Sequence, residues 1–164
     1  MALFILIFFV SVVHSEEPAR KNLVNIDPLE SVFGRIELNY ERALMGRHSV
    51  GVNPTVGALN LVDERHFRVG VTYNYSSKGT FRGFWMSPRL SLFYAVLEPG
   101  EDNSEQALLT LDPALGLGYR WVEKERLYLA IGGGAGPSIE LKRDERMEKV
   151  EAYFFSLTEI GIMF

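Results

Sequence analysis

Thirteen consecutive residues, Leu109 to Trp121 (LTLDPALGLGYRW), constrain the fold more than any other stretch of the chain. The odd positions Leu109, Leu111, Pro113, Leu115, Leu117, Tyr119 and Trp121 are all apolar or aromatic. The even positions Thr110, Asp112, Ala114, Gly116, Gly118 and Arg120 include no large apolar residue. A helix would need apolar residues at steps of three and four, which would put Asp112 and Gly116 on the face of Leu109. Strict alternation is the mark of a strand with two unlike faces. A tilted strand of about 9–11 residues is long enough to cross a bilayer. An aromatic pair at the end of its greasy face suits a membrane–water boundary. The expectation is that this greasy face touches lipid.

The start of the chain fits export. Ala2 to Val13 is an apolar run of twelve residues interrupted only by Ser11, well short of the roughly 20 that a spanning helix needs. Val13-His14-Ser15 follows, with charge beginning at Glu16 and Glu17. The pattern predicts a secretory signal peptide over residues 1–15, cleaved near Ser15, and one barrel domain over 16–164. No Lys or Arg precedes the run, so an uncleaved amino-terminal anchor is the competing reading. All 17 Lys and Arg and all 21 Asp and Glu lie beyond Ser15, giving a formal charge of −4 with no basic run, which argues against nucleic acid as a partner. There is no cysteine, hence no disulfide, thiolate metal site or lipidation cysteine. Beyond residue 15 no apolar segment approaches helical spanning length, so a membrane form would have to be a closed barrel, because an open sheet leaves backbone groups unpaired in hydrocarbon.

The two-faced pattern recurs along the chain. Weakly over Leu23–Pro28, then over Phe33–Leu44, Ser49–Leu59, His66–Tyr75, Phe84–Val96, Leu109–Trp121, Leu127–Leu141 and Val150–Phe164, apolar positions alternate with polar or small ones. Pro54 falls on an apolar face, and a β-bulge there would accommodate it. Tyr153-Phe154-Phe155 is apolar on both faces and stays unassigned. The count is eight strands with the weak first one and seven without it. Even strand numbers in single-chain outer-membrane barrels favour eight. Both ends then lie in the periplasm, the short turns after Leu44, Tyr75 and Val122 face it, and Tyr40, Tyr73, Tyr75, Tyr119, Trp121 and Phe164 gather at one rim. The fold expected is all-β: an eight-stranded antiparallel up-and-down transmembrane β-barrel.

Three runs, GRIELNYERAL (Gly34–Leu44), HSVGV (His48–Val52) and FRGFWMSP (Phe81–Pro88), resemble a family of small, eight-stranded bacterial outer-membrane β-barrel proteins. Phe164, with Ile162 and Ile160 behind it, resembles the terminal assembly signal of that class. The resemblance implies recognition by the barrel-assembly machinery, handling by periplasmic chaperones, and residence in outer-membrane lipid as a monomer. It transfers no catalytic residue and no cofactor.

Chemistry is sparse. The interior of an eight-stranded barrel is just wide enough for side chains to fill. The inward positions include Glu37, Glu41, Arg68, Arg89, Asp112, Arg120, Glu140 and Glu159, and unpaired buried charges are costly, so they should pair across the lumen. Such a lumen is either a structural plug of ion pairs or a narrow ion path. A lipid-modifying enzyme would need a base beside a hydroxyl nucleophile. His48 and Ser49 are sequence neighbours and so project from opposite strand faces, while His66 has no serine fixed beside it. Gly132-Gly133-Gly134-Ala135-Gly136 lacks the Lys-Ser or Lys-Thr of a phosphate loop. Those glycines instead make room inside a narrow barrel for bulky neighbours such as Tyr128. The charged run Lys142–Arg146 is expected in an outward loop. A structural or surface-interaction role without chemistry is the leading expectation. A soluble lipocalin-like barrel, with its apolar face turned inward, is the alternative from another fold.

Overall fold

The computed structural model describes residues 20–57, 65–97, 106–124, 126–142 and 150–164. The leader at 1–15, the segment Glu98–Ser104 and the run 143–146 lie outside the described residues. Eight strands form: β1 (Asn22–Ile26), β2 (Arg35–Ala43), β3 (His48–Gly57), β4 (Arg65–Ser76), β5 (Gly83–Leu97), β6 (Gln106–Glu123), β7 (Leu127–Lys142) and β8 (Val150–Met163). Each pairs antiparallel with the next, and β1 pairs with β8 to close an up-and-down barrel. The weak first segment is therefore a true eighth strand, which the barrel needs because an unclosed β8 would present a free edge.

Closure is short. It runs from Leu23↔Met163 to Ile26↔Ile160. Beyond it a single helical turn, α1 (Pro28–Val32), lies between β1 and β2. Asp27 caps it, accepting from the amides of Leu29 at 2.9 Å and Glu30 at 3.2 Å. The same carboxylate accepts from the amide of Thr158 at 3.2 Å and its hydroxyl at 2.9 Å, tying the helix to β8 where β1 has ended. Alternation carries no sign of this helix, but Asp27-Pro28 followed by Glu30 does: a capping carboxylate, proline at the first helical position and an acid in the first turn. The strand expected from Phe33 accordingly starts at Arg35.

Prolines interrupt the wall without shifting it. The bulge expected at Pro54 is absent: Glu37↔Thr55 and Tyr40↔Val52 flank it in one register. Pro54 has no N–H to give, so a rung is lost and no residue is inserted. Pro88 does the same between Thr72↔Arg89 and Tyr75↔Met86. Pro113 and Pro137 face one another between Leu111↔Ile139 and Leu115↔Ala135. The register does shift at Leu109/Thr110, where Leu109 pairs with Lys142 and Thr110 with Glu140. Leu141 of β7 is the extra residue there.

Inside and outside are sharply unlike. The described buried residues include Asn25, Glu37, Asn39, Glu41, Asn53, Arg89, Asp112, Arg120 and Glu159, whereas most exposed large side chains are aliphatic or aromatic. Among the described residues a small apolar core sits at one end, built from Leu23, Ala43, Phe81, Tyr128, Ala130 and Met163. Phe81 reaches it from the β4–β5 turn, at a φ of 65°, and is fully buried. The end it closes is that of the three short connections, 44–47, 77–82 and 124–126.

Candidate functional site

Among the described residues, three ion pairs and the hydrogen bonds around them occupy the lumen. Arg120, at the polar face of β6, grips Glu41 of β2 with both terminal nitrogens, at 2.8 and 3.2 Å. The carboxylate also accepts from Ser49 Oγ and Asn74 Nδ2, each at 2.9 Å. Four donor atoms from three strands, β3, β4 and β6, thus converge on Glu41. Arg89 of β5 pairs with Glu37 at 3.3 Å, and Thr55 donates to the same carboxylate at 3.1 Å. Arg68 of β4 lies 3.7 Å from Asp112, which also accepts from Thr110 at 2.8 Å and Ser138 at 2.6 Å.

Glu159, another residue of the expected lumen set, is held differently. It accepts from the Tyr128 hydroxyl at 2.6 Å and from Asn39 Nδ2 at 3.4 Å. Asn39 in turn belongs to a rung of asparagines, with Asn39 donating to Asn25 at 2.8 Å and Asn53 donating to Asn39. Alternation places all three inward, and their common spacing of fourteen residues marks them as cross-strand partners.

Aromatic rings complete the packing. Trp85 of β5 is buried, with the Arg120 guanidinium over its ring at 5.1 Å. Arg68 sits over Tyr153 at 4.6 Å and donates to that hydroxyl at 2.5 Å, and Arg89 sits over Phe155 at 5.5 Å. The unassigned run thus splits: Tyr153 and Phe155 turn inward, while Phe154 is exposed on the outer face. The expectation about the glycines is corrected in part. Tyr128 packs in the apolar end, and the rings lying over Gly116, Gly118, Gly132 and Gly134 are Trp85 and Phe155.

Little space is left. A cavity of about 20 Å³ lies between the Glu41–Arg120 pair, Trp85, Ser87 and Glu159, room for about one water. The expected histidine pattern also resolves. His48 Nδ1 meets the Tyr73 hydroxyl at 2.7 Å, while its neighbour Ser49 turns inward to Glu41. His66 packs on Phe93 with ring centroids 5.5 Å apart.

The outer face carries two aromatic zones. Tyr40, Tyr73, Tyr75, Tyr119 and Trp121 lie within four residues of the strand ends at the short connections. Phe84, which sequence reading left out of this group, joins them edge-on to Tyr119 at 5.1 Å, and Tyr119 stacks against Trp121 at 4.6 Å. Toward the other end Phe67 is paired with Tyr94 across β4 and β5, and Phe154 is exposed. Phe67 and Tyr75 are eight residues apart on β4, about 27 Å along a strand and about 20 Å along the axis at a tilt of about 40°. Ile160, Ile162 and Phe164 form an exposed apolar stripe between β7 and β1. In comparison with known proteins, no family model, no curated protein and no solved structure matches the chain.

Proposed function

We propose that the chain is a small bacterial outer-membrane β-barrel with a structural or surface-interaction role, monomeric, acting without chemistry of its own. One observation carries this: an aliphatic exterior bounded by two aromatic zones encloses an interior that holds three buried ion pairs. Water-facing proteins bury the first and expose the second, so the inversion fits a solvent of hydrocarbon. The separation of the aromatic zones, about 20 Å by the estimate above, is close to the apolar band of about 25 Å in such barrels. A soluble ligand-binding barrel would need an apolar lumen with room for its ligand. The polar lumen with its cavity of about 20 Å³ supports a plugged wall over that reading and over an ion path.

The test is fractionation of cells making the full chain. The expected result is that the protein stays with membranes through high salt, leaves them only in detergent, and migrates faster unheated than boiled on a gel. Release into the soluble fraction without detergent would overturn the proposal. Unchanged lipid mass spectra on deletion, and no unitary conductance in planar bilayers, are the accompanying expectations for a barrel without chemistry or flow.

A further inference from the structure

The barrel separates its charge along its axis. The short-connection end, with the two strand residues beside each connection and residues 20–21 before β1, carries eight Lys and Arg against Glu123 and Glu125. Arg42, Arg47, Lys78, Arg82, Lys124 and Arg126 are six of the eight. The other end, over 27–34, 58–64, 98–105 and 143–149 with the two strand residues beside each, carries twelve Asp and Glu against six Lys and Arg. A chain of net charge −4 therefore has a strongly cationic rim.

Arg42 differs from three other arginines of that rim. Arg20, Arg47 and Arg82 give hydrogen bonds to the Met163 carbonyl, the Tyr75 hydroxyl and the Val122 carbonyl. The Arg42 side chain is exposed on the outer face, and no hydrogen bond or ion pair of it is seen among the described residues. It also closes one end of a groove of about 720 Å³ on the outer wall, a size within the roughly 300–1,000 Å³ of ligand clefts. Two adjacent rows of side chains form the groove. Arg42, Val50 and Tyr73 make the first, and Val52, Val71 and Leu90 the second. The groove is almost wholly apolar apart from its cationic end.

We infer that this groove binds a glycerophospholipid of net negative charge, its phosphate at Arg42 and an acyl chain along the valine rows. The inference rests on the membrane reading above. A cation at the end of an apolar trough beside a tyrosine belt matches the headgroup-to-tail geometry of a lipid, and the cations around it add long-range attraction. An acidic protein would answer the rim but not the trough.

The test uses the full-length protein in mixed micelles, with native mass spectrometry reading retained phosphatidylglycerol against phosphatidylcholine of equal chain length. Wild type is expected to prefer phosphatidylglycerol by about fivefold, the effect of one cation at a lipid surface. Arg42→Gln should erase the preference and Arg42→Lys keep most of it. Val71→Trp, which fills the trough, should lower retention of both lipids. Lys78→Gln, a rim cation outside the groove lining, should lower the preference much less than Arg42→Gln. Equal retention of the two lipids by wild type, a preference that survives Arg42→Gln, or loss in Lys78→Gln equal to that in Arg42→Gln would each overturn the inference. Binding of polyglutamate with no lipid preference would overturn it in favour of an acidic protein partner. Heat-modifiable mobility of every variant checks folding. A protein that enters membranes yet shows no lipid preference fails this inference alone, and one that never enters them fails the membrane reading as well.

Discussion

Arg120 and Glu41 show why a lumen charge cannot be changed alone. Both side chains are almost wholly buried, with 2% and 3% of their surface exposed, so each depends on the other for the solvation that water would have supplied. Removing one partner of such a pair leaves an uncompensated buried charge, at a cost of about 3–5 kcal/mol, whereas removing both is far milder. Arg120→Ala is therefore expected to lower stability by about 3–5 kcal/mol, read by urea unfolding in lipid vesicles. Arg120→Met combined with Glu41→Gln should recover most of that loss. Equal losses in the single and double variants would mean that the pair is not coupled. That these two charges lie inside follows from alternation. That Arg120 chooses Glu41, and Arg68 chooses Asp112, does not, because the partner depends on how far each strand slides past the next.

The β6–β7 wall shows what glycine does at the level of an element. Gly116 pairs with Gly134 and Gly118 with Gly132, and their bare inner surface is covered by Trp85 and Phe155. A Cβ at Gly116 would meet Trp85 at 3.0 and 3.1 Å and Phe155 at 3.3 Å, all ring atoms. Gly116→Val should therefore destabilise by about 1–3 kcal/mol through overpacking, despite valine's preference for strands. Trp85→Leu in the same chain should restore much of the loss. Absence of rescue would place the clash in the backbone. The proline breaks belong to this level too. Three of the seven hairpin ladders lose rungs at prolines yet hold register across them, because the flanking pairs on both sides fix it. Helix α1 escaped a reading based on period two because a single turn is too short to show period 3.6. Only its capping chemistry betrays it.

For the whole molecule, the direction in which the aliphatic side chains point decides the medium. Leu115 lies near the middle of the outer band, 47% exposed. If that band meets hydrocarbon, Leu115→Arg should cost about 2–4 kcal/mol in a bilayer, measured by unfolding from vesicles. In water the same exposed change would stay within about 0.5 kcal/mol, so a negligible effect would argue against the membrane reading. The segregation of charge to opposite ends is equally a property of the whole, since the basic and acidic residues involved are scattered from Arg20 to Glu151. By itself the sequence determined the eight strands, the two faces of every long strand but β8 and most of the enclosed charges, because a period of two is a local property of the backbone. Only the tertiary structure decided closure through β1, the pairing of each enclosed charge, the plugging of one end by Phe81 and the gathering of cations at that rim. Those depend on register and on which connections share an end, and both are set by contacts between residues far apart in the chain.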